Sequence, residues 1–219
     1  MDTVGIICEY NPFHNGHVYH LKKIKELFPN SIIILIMSGN FTQRGIPSII
    51  DKWDKTEIAL EYGIDLVVEL PFPFASQSAD VFAHGAISIL KELKVNYLIF
   101  GSESNSIDKL KEMVNYTLNV SSYQEKTKEY LKKGYNYPTA LNMAFPEKYD
   151  GIDAPNDLLA FSYIKEITVQ KANITPISIK RTNSYHSTEL QEISSATSIR
   201  GALIKKDDVS NCVPKITND

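Results

Sequence analysis

The chain has 219 residues, 43% of them hydrophobic and 22% charged, with a formal net charge of −3. That composition excludes a disordered tail, a collagen-like rod and a pure coiled coil, and the length supplies enough core to fold without staples. Cys8 and Cys212 lie near opposite ends and form neither a disulfide framework nor a CxxC zinc pair, and the small negative charge leaves any nucleic-acid contact to be local.

In chain order, Met1-Asp2-Thr3 lacks the basic region of a signal peptide, so a reducing cytoplasm is the expected compartment. Val4 to Cys8 reads as a buried strand, followed by a helix over Gly16 to Leu27. Ser31 to Met37 is a second strand; its apolar run is far too short to span a bilayer, so no membrane partner is expected. Lys52 to Tyr62 reads as helix, Leu66 to Leu70 as strand, Ala79 to Leu93 as helix and Tyr97 to Phe100 as strand. From Ser106 to Gly134 the chain turns polar, rich in Lys, Glu and Tyr, and reads as surface helices; with further helices over Tyr137 to Ala144 and Asn156 to Ile167, the region from Ser106 to Ile167 reads as a helical insertion. Ile174 to Ile179 is a fifth strand, and the tail after Lys205 reads as frayed. Strands apolar on both faces, alternating with helices, predict an α/β fold with a doubly wound parallel sheet.

Ligands of such sheets bind beyond the carboxyl ends of the strands. The loop after the first strand reads Glu9-Tyr10-Asn11-Pro12-Phe13-His14-Asn15-Gly16-His17. Pro12 ends the strand, and Asn15 and Gly16 can start a helix whose free N–H groups face an anion. His14 and His17, three apart, share a face of its first turn and can donate from Nε2 to phosphate oxygens. Gly16 leaves room for a flat ring to approach the backbone. The competing readings are a surface pair capping a helix, or a metal pair completed by His20, for which no carboxylate partner is evident.

His14-Asn15-Gly16-His17 resembles the HxGH form of the HIGH motif of nucleotidylyl transferases. Ile193-Ser194-Ser195-Ala196-Thr197-Ser198-Ile199-Arg200 is similar to their second motif, ISSTxxR, departing from it by Ala196. Ser195 and Thr197 are hydroxyl donors near a helix start, and Arg200 can form a fork on a phosphate. The opening Cys8 to His17 segment, Met37-Ser38-Gly39-Asn40-Phe41-Thr42-Gln43-Arg44-Gly45, Asp51-Lys52-Trp53, Asp65 to Pro71, Phe100-Gly101-Ser102-Glu103 and Ala154 to Leu159 together resemble the bacterial tRNA(Met) cytidine acetate ligase family, from about Val4 to Arg200.

The resemblance implies a Rossmann-like doubly wound sheet with a helical insertion (106–167) in a catalytic domain over 1–205, with a tail over 206–219. Family members are usually longer, so their helical C-terminal region is expected to be absent here, and with it full tRNA affinity. The implied reaction joins acetate and ATP into acetyl-adenylate, then transfers acetyl to N4 of the wobble cytidine (C34) of elongator tRNA(Met). By the same resemblance ATP is held by Ile7, Cys8, Glu9, Tyr10, Asn11, Pro12, Phe13, His14, Asn15, Gly16, His17 and His20, with Gly101, Asn156 and Arg181. His14 and His17 are assigned to the α-phosphate and bridging oxygens. Arg200, with Ser195 and Thr197, is assigned to the pyrophosphate end. Mg²⁺ is expected with ATP, on phosphate oxygens and water rather than a protein site.

Plainer readings stand beside these: Gly101 as a turn glycine, Asn156 as an N-cap, Arg181 as a solvated strand-end charge, and Gln43 and Arg44 as a polar surface loop. Lys22, Lys23, Lys25, Lys132 and Lys133 read as solvated helix charges. The same motifs would also serve an adenylyltransferase of cofactor synthesis, or a nucleotide- or RNA-binding module without chemistry. Oligomeric state has no signature in the sequence.

Overall fold

The computed structural model describes residues 1–147, 149, 152, 154–181 and 193–218. In chain order the elements are β1 (Thr3–Cys8), α1 (Asn15–Leu27), β2 (Ile32–Ser38), α2 (Lys52–Glu61), β3 (Leu66–Leu70), α3 (Phe72–Ala75), α4 (Ala79–Glu92) and β4 (Tyr97–Ser102). They continue with α5 (Ile107–Asn119), α6 (Ser121–Lys132), α7 (Tyr137–Ala144), α8 (Pro155–Val169), β5 (Thr175–Lys180), α9 (Ala196–Lys205) and α10 (Lys215–Asn218). The strands form one parallel sheet in the order β3-β2-β1-β4-β5. All five strands of the sequence reading are present, with ends moved by two residues or fewer.

The sheet is apolar on both faces because its side chains alternate between two cores. Ile33, Leu35 and Met37 of β2 meet Leu21 and Ile24 of α1 and Ile58 and Ala59 of α2 on one face. Ile34 and Ile36 meet Phe82, Ala86 and Leu90 of α4 on the other, together with Phe161 and Ile164 of α8.

Two expectations need correction. The first is the extent of the insertion. α8 belongs to the sheet layer: Ala160, Phe161, Tyr163 and Ile164 are buried beside Phe100 and α4, making α8 the crossover helix between β4 and β5. Only α5 to α7 is inserted, and Leu110, Met113 and Val114 tie it to the same core. Residues 148, 150, 151 and 153 of the expected insertion lie outside the described residues. The second is the tail, which is packed rather than frayed. Val209, Cys212 and Val213 are buried against Ile199 and Ala202 of α9. Its backbone also closes on α1: Asn15 N–H donates to the Cys212 carbonyl at 3.0 Å, and Asn15 Nδ2 to the Asn211 carbonyl at 2.9 Å.

Among the described residues no helix is long and apolar enough to cross a membrane.

Candidate active site

Strand order reverses at β1, which pairs with β2 on one side and β4 on the other. β1 and β4 are in register only at Val4–Tyr97 and Gly5–Leu98, while β1 and β2 pair along their whole length. Beyond Gly5 and Leu98 the two strands part, and a cleft of about 560 Å³ opens at their carboxyl ends. Ile7, Cys8, Glu9, Tyr10 and Asn11 line it from the β1 side, and Gly101 from β4.

His14 is the N-cap of α1. Its Nδ1 accepts from Gly16 N–H at 3.1 Å, and its own N–H donates to His17 Nδ1 at 3.2 Å. This is a capping box built from two imidazoles instead of a hydroxyl and a carboxylate. With both Nδ1 atoms accepting, the proton of each neutral ring sits on Nε2, so each ring is a fixed donor. The rings stack at 3.8 Å between centroids, and Phe13 stacks on His17 at 5.5 Å.

The expected free amides at the start of α1 are absent. Asn15 N–H goes to Cys212 O, Gly16 N–H to His14 Nδ1, and His17 N–H to His14 O at 2.7 Å. Gly16 lines the cleft, yet a Cβ there would fall 2.8 Å from Cε1 of His14. The glycine therefore admits the His14 ring rather than holding space for a ligand.

His14, His17 and His20 are neutral at pH 7. Burial, then Arg181 and Arg200, lowers His14 to about 3. Burial, then His14, His20 and Arg181, holds His17 well below its ordinary value. Burial and Arg181 lower His20 to about 4. Charged Arg181 and Arg200 beside neutral donors give the cleft a positive potential suited to a polyanion.

The same shifts set a pH dependence. Between the native values and about 6.5 the unfolded chain binds protons that the native chain refuses, so stability falls as pH drops through that window. Each histidine contributes at most about 1.4 kcal/mol per pH unit. Thermal midpoints should be near level between pH 6.5 and 7.5 and fall steeply between pH 6 and 4.5; a level profile over the acid range contradicts the buried neutral triad.

Arg200 joins the two motifs. Its Nη1 donates to the Asn11 carbonyl at 2.7 Å and its Nη2 to Thr197 Oγ1 at 3.2 Å. Ser195 caps α9, accepting from Ser198 N–H at 3.1 Å. Arg181 lies over Gly101, whose added Cβ would stand 3.3 Å from Arg181 Cγ. Asn156 is not the N-cap of α8, a place held by Ala154; its Nδ2 donates to Glu103 Oε1 instead. His20, Gly101, Asn156, Arg181, Ser195, Thr197 and Arg200 all line the cleft, as do Gln43 and Arg44. Pro12, Phe13 and Asn15 do not. Phe13 is core, packed on Tyr10, His17 and Tyr62, and Asn15 is spent on the tail.

Sequence reasoning missed two buried charged residues. Lys55 of α2 is 1% exposed, and its ammonium donates to the carbonyls of Glu9 (3.0 Å), Ser38 (2.9 Å) and Gly39 (2.8 Å). Burial pushes it down to about 8, against the pull of Glu9, Glu69 and Asp51. The available signal was spacing: Lys55 sits three and four positions before the buried Ile58 and Ala59, on the apolar stripe. Asp157 of α8 is 8% exposed and organises the loop after β4. It accepts from Ser102 Oγ, from Glu103 N–H at 3.1 Å and from Ser104 N–H at 3.1 Å. Among the described residues no three His, Cys, Asp or Glu side chains gather to hold a metal. Glu9 and Glu103, which carry the carboxylates near the cleft, already accept from Gln43 N–H and from Asn156 and Asp157.

A profile of the HIGH Nucleotidyl Transferase family matches residues 1–219. The tRNA(Met) cytidine acetate ligase of Fusobacterium nucleatum is 41% identical over 226 residues, covering 99% of this chain and 56% of that protein. The protein of the same name from Caldicellulosiruptor saccharolyticus is 46% identical over 206 residues, covering 91% and 52%. Among solved structures, Thermotoga maritima TmcAL bound with alpha-thio ATP superposes with a TM-score of 0.89 at 38% identity, over 99% of this chain and 54% of that one. The chain thus spans about half the length of the curated relatives it matches.

Proposed function

The chain belongs to the HIGH nucleotidyl transferase family, and on that premise we propose that it is an ATP-dependent ligase that activates acetate and acetylates N4 of the wobble cytidine of elongator tRNA(Met) in the cytoplasm. The observation that carries this reading is the pair of imidazoles fixed as Nε2–H donors at a cleft edged by Arg181 and Arg200. Relatives of 41% and 46% identity named for that reaction, and a neighbour bound with alpha-thio ATP, supply the substrates.

In the first step an acetate oxygen attacks the α-phosphorus in line. The bond from that phosphorus to the bridging oxygen breaks, and pyrophosphate leaves. Acetate is ionised near pH 7, so the step needs no general base; it needs positioning and charge stabilisation. His14 and His17 donate to the α-phosphate and bridging oxygens as negative charge shifts onto the leaving group. Arg200, with Ser195 and Thr197, takes the pyrophosphate. Mg²⁺ accompanying ATP would supply charge neutralisation on the phosphates, with no protein ligand assigned to it. In the second step cytidine N4 attacks the acetyl carbonyl of the mixed anhydride, AMP departs, and the N4 proton passes to solvent. The anticodon base is already unpaired and needs no duplex opening.

Exchange of labelled pyrophosphate into ATP tests the first step. Exchange is expected with acetate and not with nicotinate mononucleotide or pantetheine phosphate. Exchange with either of the latter alone makes the chain a cofactor adenylyltransferase, and ATP binding without exchange on any of them makes it a binding module. Acetylation of tRNA(Met), read separately, tests the second step.

A further inference from the structure

We infer that Lys55 is a positioning residue for the nucleotide cleft: its ammonium holds the carbonyl ends of β1 and β2, and with them the two loops that wall one side of the cleft, in a single register. The inference rests on the adenylate-forming reading of that cleft.

The three acceptors come from two chain segments. Glu9 begins the loop that leads to His14, and Ser38 and Gly39 begin the loop that carries Thr42, Gln43 and Arg44 into the cleft. An ammonium has three donors, and all three are used, so the site is stoichiometrically complete. The second loop folds back on itself through the Phe41–Pro47 bridge and the Thr42 N–H to Ile46 carbonyl bond at 3.0 Å. It is then stitched to the first loop: Gln43 N–H donates to Glu9 Oε1 at 2.7 Å, and Ile49 N–H and Ser48 Oγ to Asn11 Oδ1 at 2.9 and 3.3 Å. Arg200 grips the carbonyl of the same Asn11. Lys55 stands at the root of this lattice, away from the cleft surface, and acts on a ligand only through the loops.

Stability alone is a poor reason for such a residue. Burying an ammonium is costly, and apolar side chains of similar length commonly replace buried charges at no net loss. What an apolar chain cannot do is draw three carbonyls from two strand ends to one point. A displacement of about 1 Å in groups around a reacting centre can cost on the order of 10² in rate.

The test compares the unchanged protein with Lys55→Met and Lys55→Arg, assayed well below their thermal midpoints. Lys55→Met is expected to lower kcat for acetate-dependent exchange by about 10²-fold and to raise the ATP dissociation constant, measured by calorimetric titration, at least about fivefold. Lys55→Arg, which keeps a cation among the carbonyls, is expected to recover at least about tenfold of the lost kcat. A lower thermal midpoint with kcat and ATP affinity unchanged overturns the inference, as does Lys55→Arg no better than Lys55→Met. Should Lys55→Met not fold, Lys55→Gln, with two of the three N–H donors, carries the same comparison. If the unchanged protein shows no exchange with acetate, the acetate reading fails, and ATP affinity alone still decides the role of Lys55.

Discussion

His17→Ala should lower acetate-dependent pyrophosphate exchange by about 10²–10³-fold while leaving the fold intact, as monitored by circular dichroism. The magnitude is that of deleting one preorganised donor aimed at developing charge. The imidazole earns this value through its setting. Its Nδ1 is committed to His14 N–H, its ring is stacked between His14 and Phe13, and burial keeps it neutral. No reorientation or proton uptake precedes donation from Nε2. His17→Asn keeps a donor but not its reach, and should recover only a small part of the rate. Exchange that persists unchanged in His17→Ala removes the histidine pair from the chemistry.

Asp157→Ala should cost about 3–4 kcal/mol, a fall of roughly 10 °C in the thermal midpoint by calorimetry. Its carboxylate accepts a hydroxyl and two backbone amides in the turn after β4, and truncation strands the buried Ser102 hydroxyl and frees both half-buried amides. The same turn presents Glu103, which receives Asn156 Nδ2 and the Asp157 amide. The variant should therefore weaken ATP binding as well as stability. Asp157→Asn retains one acceptor and should lose about half as much. A midpoint unchanged in Asp157→Ala would show that water substitutes fully for the carboxylate.

Much of this architecture is legible in the residues. Ile33 to Met37 and Leu98 to Phe100 are apolar at every position because both faces of the sheet are covered, so the strands announce a parallel sheet. The paired motifs mark the cleft because their chemistry is carried by side chains of distinctive type at short spacing. The roles of Lys55 and Asp157 are hard to read because most of their partners are backbone carbonyls and amides, which every residue has; the place of Lys55 on the apolar stripe is the one hint. The place of α8 in the sheet layer, not in the insertion, has no clear sequence signal, because buried side chains surround it and leave little amphipathic contrast. The tail reads as frayed because three small apolar residues make no periodic run, although they suffice to cover α9.

At the head of α1, the first three main-chain amides are all consumed within the protein. A phosphate loop that binds through amides is nearly immune to substitution, because no mutation deletes a peptide N–H. At the head of this helix the donors left for an anion are the Nε2–H groups of His14 and His17, so replacing either imidazole removes an anion donor and half of the helix cap together. Positions 14 and 17 therefore answer to helix capping and to an anion at once, and few residue types satisfy both.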